Sequence, residues 1–252
     1  MRIIANVMGA ELSSNFFLEE GTLHLWYVDV GAKLDNRYYN LLSGEEKIKA
    51  GKYRFTRDQY MYITARAVLR ILSGHYLKKD PIDIVFNYGP YGKPYFQDEN
   101  SLMFNISHSG SKAILGFGKV AAIGVDIENI KDNFDVQDIA GKFFSQSEIK
   151  SLAETSQEEQ NRAFFRCWTR KESFIKAKGD GLSLPLDSFS VTLDDDIKAR
   201  LIETKWNPSE KESWEIFSFV PDDNYIGAVS VKGKVQKIKY WNWEEVYKSN
   251  NL

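Results

Sequence analysis

Two segments of the chain combine acidic and basic residues at spacings that suit the chemistry of a phosphorylated substrate. They are Ile123-Gly-Val-Asp-Ile-Glu128 and Trp168-Thr-Arg-Lys-Glu-Ser-Phe-Ile-Lys176. In an extended strand alternate side chains share a face, so Asp126 and Glu128 point one way while the residues beside them point into a core. In a helix, Glu172 and Lys176 lie one turn apart. The pattern predicts three carboxylates and two lysines placed to hold a metal-bound diphosphate.

A hard divalent cation such as magnesium prefers oxygen ligands, usually a few carboxylates together with phosphate oxygens and water. Asp126, Glu128 and Glu172 are therefore the predicted metal ligands, and manganese, with overlapping preferences, fits them equally. Phosphoryl transfer depends mainly on alignment and on charge neutralisation, a role that suits Lys176. Each pattern alone has a simpler interpretation, namely an exposed strand edge and a surface ion pair worth a few tenths of a kcal/mol.

The composition is that of a folded chain with a sizeable core, since 43% of its 252 residues are hydrophobic and 14% are aromatic. A formal net charge of −2 provides no global basic field, which argues against nucleic acid as a partner. A single cysteine, Cys167, and a start unlike a secretory signal favour the reducing cytoplasm. No apolar run approaches the roughly 20 residues that cross a bilayer, so no membrane association is expected.

The stretch from Ser43 to Lys79 is locally basic, with nine lysines and arginines against three acids. Such an excess of positive charge is able to bind a small polyanion. The same spacing equally fits a pair of amphipathic helices whose basic faces are merely solvated, and charge alone does not choose between the two interpretations.

Periodicity assigns these motifs to elements. The first half predicts strands near Arg2 to Met8 and Leu23 to Val30, helices from Gly44 to about Leu77, and strands at Ile82 to Tyr88, Leu102 to Ile106 and Ala113 to Phe117. The stretch Tyr88-Gly-Pro-Tyr-Gly-Lys-Pro94 is expected to be an ordered loop carrying Lys93, and Ser107-His-Ser-Gly110 is expected to be a turn.

The second half repeats this order, with the Asp126 strand followed by helices at about 134–153 and 157–178 and by strands near 189–193, 214–220 and 225–231. Ser43-Gly-Glu-Glu46 and Ser145-Gln-Ser-Glu148 each open a helical region. Thr64-Ala-Arg66 and Thr169-Arg-Lys171 follow roughly twenty residues later. This faint repeat indicates two similar halves of long helices and antiparallel strands, with a seam around Gly118 to Ala122.

Five segments together resemble the 4′-phosphopantetheinyl transferases of the surfactin (Sfp) type. They are Phe104-Asn-Ile-Ser-His-Ser-Gly110, Gly124-Val-Asp-Ile-Glu128, Phe143-Phe-Ser145, Trp168-Thr-Arg-Lys-Glu-Ser-Phe-Ile-Lys176 and Gly181-Leu-Ser-Leu-Pro-Leu186. They occur in the family's order between about Ser43 and Val191. The Gly-Val-Asp-Ile-Glu motif is moderately specific by itself, and its combination with Trp-x-x-Lys-Glu-Ser-Phe-x-Lys is strongly specific.

The resemblance implies an α+β pseudo-dimer of two similar subdomains, each with a small antiparallel sheet packed against long helices. Residues 1–120 would form the N-terminal subdomain, with the basic helices that bind coenzyme A phosphates and the Ser-His-Ser-Gly turn. Residues 121–252 would form the C-terminal subdomain, with the metal site and the catalytic helix. The implied reaction moves the 4′-phosphopantetheine arm of coenzyme A to a serine of an apo carrier protein, requires Mg²⁺ or Mn²⁺, and releases adenosine 3′,5′-bisphosphate.

The resemblance also assigns roles to single residues. Glu172 and Lys176 would be catalytic, with Lys176 near the bridging or leaving oxygen of coenzyme A and Glu172 serving as metal ligand, as base for the serine proton, or as both. The residues expected to contact coenzyme A are Lys47, Arg66, Lys93, Ser107, His108 and Lys176.

Within that set, Ser107 and His108 are assigned to the phosphates and Lys93 to the adenylate end. Lys47 and Arg66 are assigned to the 3′-phosphate, with the alternatives Lys49, Lys52 and Arg54. Gly44 departs from the family, which often has proline there, and the spacing from Gly44 to Phe55 differs by a residue or so. Lys171 is expected to be a charge on the helix surface.

Other functions use the same residues differently. A metal-dependent phosphohydrolase would act without a carrier protein, and a coenzyme A-binding regulatory module would keep the pocket without turnover. The intact acidic and basic motifs favour an enzyme, and an interaction scaffold would leave the ordered motifs unexplained. The enzyme is expected to be a monomer serving nonribosomal peptide, polyketide or fatty acid carriers, among which the residues do not distinguish, just as they leave acyl-coenzyme A tolerance open.

Overall fold

The structure is a computed structural model that describes residues 17–31, 33–97, 101–131 and 135–249; the strand predicted at Arg2 to Met8 lies outside them. The first half contains, in chain order, β1 (Thr22–Asp29), α1 (Asn36–Leu41), α2 (Gly44–Ala50), α3 (Thr56–Leu77), β2 (Phe86–Tyr88), β3 (Pro94–Phe96), β4 (Met103–Ser109) and β5 (Lys112–Gly118). The second contains β6 (Ala122–Asn129), α4 (Val136–Phe143), α5 (Gln146–Glu154), α6 (Gln157–Lys178), β7 (Phe189–Val191), β8 (Leu201–Thr204), β9 (Trp214–Asp222), β10 (Tyr225–Lys232), β11 (Lys237–Asn242) and α7 (Trp243–Ser249).

Two sheets form the frame of the molecule. One has the strand order β11-β1-β5-β4 and the other the order β6-β10-β9. Strand pairs in both sheets are antiparallel except for the parallel pair of β1 and β11. The predicted α+β class is thus confirmed. Strand β11 follows the second half in sequence but joins the sheet of the first half, and α7 packs against β1. The end of the chain therefore crosses the predicted division into 1–120 and 121–252.

Each half is built around one 22-residue helix, α3 or α6. The short helix before it begins with a capping box, formed by Ser43 and Glu46 in α2 and by Ser145 and Glu148 in α5. The repeat noticed at these residues is therefore structural. When α3 and α6 are aligned from their first residues, Arg70 corresponds to Lys171, which corrects the sequence-based pairing of Arg66 with Lys171.

A hydrophobic cluster shared by the two sheets joins the halves. It contains Leu25 and Ile114 from the first sheet and Val125, Ile127 and Val229 from the second. Val125 and Ile127 are fully buried, as the alternation in the strand predicted. This cluster fixes β6 beside the first sheet and leaves the opposite face of β6 for Asp126.

Most element predictions are confirmed, but the strand predicted from Ile82 to Tyr88 is right only for its end, Phe86–Tyr88, which forms β2. Pro81–Asp83 forms a 3₁₀ helix, because Asp80 caps it by accepting a hydrogen bond from the Ile82 N–H and proline suits its first position. The two long predicted helical stretches each divide, at residues 51–55 and at residues 144–145. In the second case the new helix starts at its own capping serine. No helix in the described part of the chain is long and apolar enough to cross a bilayer.

Candidate active site

The two halves meet where β4 runs beside the free edge of β6. Because β6 pairs only with β10 within its sheet, its outward backbone groups need other partners. Side chains of β4 provide two of them. Asn105 Oδ1 accepts from the Val125 N–H at 2.8 Å, and Ser109 Oγ accepts from the Asn129 N–H at 3.1 Å. A strand of one half is thereby held in register against a strand of the other.

Asp126 lies in the middle of this seam, with only 2% of its surface exposed. Its Oδ1 atom accepts hydrogen bonds from Ser107 Oγ at 2.9 Å and from Lys176 Nζ at 2.6 Å. Lys176 Nζ also donates to Ser107 Oγ at 2.9 Å. The other oxygen, Oδ2, is buried and has no hydrogen-bond partner among the residues that the structure describes. A buried polar atom without a partner is unfavourable, so Oδ2 points to a ligand that completes the site.

Glu128 and Glu172 lie close enough to Asp126 for its charge to affect their pKa values. Burial raises the pKa of Glu128 to about 6, and the Asp126 carboxylate adds to the rise. Burial and then the same carboxylate raise the pKa of Glu172. Glu128 also accepts a hydrogen bond from Ser109 Oγ at 2.6 Å. The structure therefore brings the three predicted carboxylates and Lys176 to one region of the seam.

Close contact between β6 and α6 brings these groups together. A Cβ atom on Gly124 would lie 2.1 Å from the Ser173 carbonyl oxygen and 2.2 Å from the Ala177 nitrogen, so the backbone of α6 rests directly on this glycine. Any side chain at this position would push α6 away. Asp126, two residues further along the strand, shares the face of Gly124 that is turned towards α6. The glycine of the Gly-Val-Asp motif thus sets the separation of the two motif segments.

The donor types of Asp126, Glu128 and Glu172 fit a hard divalent cation. The unpartnered Oδ2 of Asp126 and the raised pKa values of both glutamates are the features expected of carboxylates arranged for a positive charge. Within the described ranges, no three acidic, histidine or cysteine side chains stand in a ready-made metal cluster, and Lys176 is bonded to Oδ1 of Asp126. The ligand set therefore stays a prediction.

Ser107 and His108 belong to β4 and not to the predicted turn. Only Gly110, with a φ of +58°, lies in the turn to β5. The extended backbone lets every second side chain of β4 reach the seam, which is why Ser107 and Ser109 contact the acidic residues of β6. The hydroxyl of Ser107 positions Asp126 and Lys176, and its predicted contact with a coenzyme A phosphate is untested.

His108 is exposed beside the acidic cluster. Desolvation by the surrounding protein and then the charge of Lys176 lower the pKa of its imidazole, while Asp58 and Asp126 oppose that shift. Because Asp58 lies in the first turn of α3, its influence indicates that the start of α3 lies near His108. The position is compatible with the predicted contact to a phosphate.

Basic side chains surround the junction of α2 and α3. Lys47 is half-buried, and its ammonium lies 5.5 Å from the centre of the Tyr39 ring. Four further cations in this segment are exposed: Lys49, Lys52, Arg54 and Arg57. The alternative interpretation, in which the basic face of α2 is merely solvated, is thus partly right. The same exposed cations are nevertheless accessible to a polyanion.

Arg66 is buried among partners of its own half. Its Nε donates to Glu46 at 2.5 Å, its guanidinium lies 4.5 Å from the centre of the Phe86 ring, and it donates to the hydroxyl of Tyr88. Arg70 Nε donates to the second oxygen of Glu46 at 2.7 Å. These contacts support a structural role for Arg66, and its predicted contact with the 3′-phosphate is untested.

Lys93 lies in the loop between β2 and β3, as predicted, but its ammonium is bound by the main chain of the other half. Nζ donates to the Ile123 carbonyl at 2.9 Å and to the Ala177 carbonyl at 3.1 Å. Burial lowers the pKa of this ammonium to about 8. The predicted contact of Lys93 with the adenylate end of coenzyme A is untested.

Lys171 is fully buried, which corrects its assignment to the helix surface. Its Nζ lies 2.7 Å from a carboxylate oxygen of Glu148 and donates to the Phe189 carbonyl at 2.6 Å. The error arose because α6 is covered on more than one side, by β6 and β10 and also by α5 and β7. The pair ties the capping box of α5 to α6, as Glu46 and Arg70 tie the capping box of α2 to α3 in the first half.

Replacing Lys171 with methionine is expected to lower the free energy of unfolding by about 3–5 kcal/mol, because Glu148 would keep a buried charge without its partner. Chemical denaturation at neutral pH measures the change. The double variant Lys171→Met with Glu148→Gln should recover part of the loss, since no unpaired charge remains. Lys142→Met, which removes an exposed pair with Asp138, is the control and should cost less than about 1 kcal/mol. A comparable small loss for Lys171→Met would contradict the assignment.

Sequence reasoning missed Asn105, Ser109 and Glu148. A signal existed for the first two, because polar residues occupy the alternate positions 105, 107 and 109 of the strand, and the apolar Phe104 and Ile106 alternate with them. This alternation indicates a polar face on β4, yet it does not tell which strand lies opposite. For Glu148, the shared capping box was visible, but its tie to Lys171 depends on how α5 packs against α6.

This arrangement is a two-lobed α+β fold with a carboxylate and lysine site between the lobes. A family model described as the 4′-phosphopantetheinyl transferase superfamily matches residues 122–230, and one described as 4′-phosphopantetheinyl transferase, N-terminal, matches residues 35–117. HetI of Nostoc sp. (strain PCC 7120), a 4′-phosphopantetheinyl transferase, is 30% identical over 91% of this chain and 95% of its own length. Sfp of Bacillus subtilis (strain 168), another, is 38% identical over 64% of this chain and 71% of its own.

Among solved structures, the holo-[acyl-carrier-protein] synthase of Thermotoga maritima is 18% identical, with a TM-score of 0.34, over 45% of this chain and 63% of that one. Membership rests on the sequence matches, above all on the nearly complete overlap with HetI. The chain belongs to the 4′-phosphopantetheinyl transferase family, and the resemblance inferred from the motifs is confirmed.

Proposed function

We propose that the chain moves the 4′-phosphopantetheine arm of coenzyme A to a serine hydroxyl of an apo carrier protein and releases adenosine 3′,5′-bisphosphate. The observation that carries the proposal is the cluster at the seam. There Lys176 and Ser107 hold one oxygen of Asp126, and the other oxygen is buried without a partner. Family membership supports the type of reaction.

Asp126, Glu128 and Glu172 are the residues that would hold a divalent cation, magnesium or manganese. When bound, the cation would neutralise charge on the diphosphate of coenzyme A. The fit rests on the three oxygen donors and on the unpartnered Oδ2 of Asp126.

During transfer, the serine oxygen forms a bond to the phosphorus that carries pantetheine, and the bond from that phosphorus to the bridging oxygen breaks. Glu172 is assigned as the acceptor of the serine proton, because its raised pKa makes it more basic than an exposed carboxylate. Lys176 is assigned as the hydrogen-bond donor to the leaving oxygen, where negative charge develops. Asp126 and Ser107 hold the ammonium in place for that role.

The remaining phosphate of coenzyme A is assigned to the basic side of the cleft. His108 and the exposed cations from Lys49 to Arg57 lie around the start of α3, and Lys47 lies on the preceding helix. A cluster of exposed, solvated cations suits a doubly charged 3′-phosphate.

Location and assembly complete the proposal. Cys167 is a buried free thiol, which is consistent with a reducing compartment, and we assign the reaction to the cytoplasm. Both halves of the seam come from one chain, so a monomer can form the site. The acceptors are carrier proteins of nonribosomal peptide or polyketide synthesis, or of fatty acid synthesis.

The test incubates purified protein with coenzyme A, magnesium and a panel of apo carrier proteins, and measures the intact mass of each carrier. We expect the mass of one phosphopantetheine to be added to at least one carrier, with no addition when its acceptor serine is replaced by alanine. Chelation of the metal should stop the reaction.

The other functions give different results in the same experiment. Tight binding of coenzyme A with no mass gain on any carrier would indicate a regulatory module. Release of adenosine 3′,5′-bisphosphate without a carrier would indicate a phosphohydrolase. Either result would reject transfer as the activity.

A further inference from the structure

Lys93 makes a contact that its predicted role in cofactor binding does not explain. It belongs to the first half of the chain, yet both of its hydrogen-bond acceptors are backbone carbonyls of the second half. One is Ile123 in β6 and the other is Ala177 in α6. These two elements carry the acidic residues and the lysine of the candidate active site.

Each of the two carbonyls lacks a partner in its own element. Ala177 lies in the last turn of α6, where the backbone carbonyls receive no hydrogen bond from an N–H of the helix. In β6 the N–H of Val125 points away from β10 towards Asn105. Because backbone groups of alternate residues in a strand point to the same side, the carbonyl of Ile123 also points away from β10. The ammonium of Lys93 satisfies both groups, and its charge is favourable at a helix C-terminus.

The contact lies at the crossing point of β6 and α6. Ile123 precedes Gly124, the residue on which the α6 backbone rests, and a Cβ atom added to Gly124 would lie 2.2 Å from the Ala177 nitrogen. Lys93 therefore bonds to both backbones at the place where they touch. Asp126 and Lys176 lie within three residues of the two bonded carbonyls, so movement here would separate them.

The loop around Lys93 is shaped to hold this position. Gly92 has a φ of +80°, and the Gly89 N–H donates to the Lys93 carbonyl at 2.9 Å. The side chain of Tyr91 lies against Gly181, just after the end of α6, where an added Cβ would be 3.0 Å from it. The β2–β3 loop thus packs on the C-terminal end of α6 through several contacts and not through one lysine alone.

We infer that Lys93 is a positioning residue whose ammonium clamps the end of α6 to the free edge of β6, and that it acts on the reaction through Asp126 and Lys176 without touching coenzyme A. The inference about the reaction rests on the proposed function. The clamp itself is a property of the free protein and is tested separately.

The first test is hydrogen exchange of the free protein, compared between wild type and Lys93→Met. Methionine keeps the length of the side chain and removes all three donors. We expect faster exchange in the last turn of α6, near residues 175–179, and in the loop at 88–94. Lys178→Met is the matched control, because Lys178 lies at the same end of α6 but pairs with Glu210. Unchanged exchange in the last turn of α6 would reject the clamp, whether or not the protein transfers phosphopantetheine.

The second test separates positioning from binding in the transfer assay. For Lys93→Met we expect kcat to fall by about 10- to 100-fold, the scale of a displacement of catalytic groups by about 1 Å, with the KM for coenzyme A changed less than about twofold. Lys93→Arg, which keeps the charge, should recover part of kcat. A rise in KM with unchanged kcat, and a matching loss of affinity for adenosine 3′,5′-bisphosphate, would show that the ammonium binds the cofactor and would overturn the inference.

Discussion

Asp126→Asn is expected to lower the rate of phosphopantetheine transfer by roughly 10³-fold or more, the scale on which charge-stabilising groups act in phosphoryl transfer. The substitution keeps the shape of the side chain and removes its charge. Lys176 would lose the carboxylate that holds it at 2.6 Å, and the acidic cluster would lose its most buried member. Binding of Mn²⁺ to the free protein, measured by electron paramagnetic resonance, should weaken together with transfer.

The fold should survive this change. Removing the Asp126 charge relieves the repulsion that raises the pKa of Glu128 and Glu172, so the thermal midpoint should stay the same or rise, as is common for active-site residues. Asp138→Asn, at an exposed pair on α4, is the control for loss of one carboxylate and should leave transfer unchanged. Near-normal transfer by Asp126→Asn would exclude Asp126 from the catalytic site, even if Mn²⁺ binding were weakened.

Local patterns were sufficient to predict the parts of the site that depend on one element at a time. The alternation in β6 predicts that Val125 and Ile127 are buried on one face and that Asp126 and Glu128 share the other. The four-residue spacing in α6 predicts that Glu172 and Lys176 lie together. These features follow from strand and helix geometry alone, which is why they agree with the structure.

Contacts between elements were not predictable in the same way. The bond from Ser109 to Glu128 and the bond from Asn105 to the Val125 N–H depend on the register of β4 beside β6, which no short-range pattern specifies. Lys171 was placed on a surface because a charged helix position is usually exposed, whereas packing on several sides of α6 buries it.

Gly124 belongs to a motif that is visible in the sequence, but its role depends on a contact between two elements. The motif contains a glycine for a reason that is invisible in the sequence, since the requirement comes from the α6 backbone lying across β6. Without a side chain, β6 and α6 approach closely enough for Asp126 and Lys176 to form a hydrogen bond. The separation of the two motifs is therefore controlled by a position that carries no functional group.

Gly124→Ala is accordingly expected to reduce both stability and transfer. Its Cβ would lie about 2 Å from backbone atoms of Ser173 and Ala177, which cannot rotate away, so α6 must shift. We expect the free energy of unfolding to fall by about 3 kcal/mol, the upper end of overpacking in a core, and kcat to fall by about 10²-fold in the fraction that folds.

Gly141→Ala is the matched control, because an added Cβ there meets nothing within 4 Å and the residue lies inside α4. Alanine in a helix interior is favoured over glycine by roughly 0.5–1 kcal/mol, so this variant should be slightly more stable than wild type and fully active. Urea denaturation and single-turnover transfer on the same preparations separate the two effects of Gly124→Ala. If the unfolding free energy and kcat of Gly124→Ala both matched wild type, α6 could not rest on Gly124. The close approach of Asp126 and Lys176 would then need another explanation.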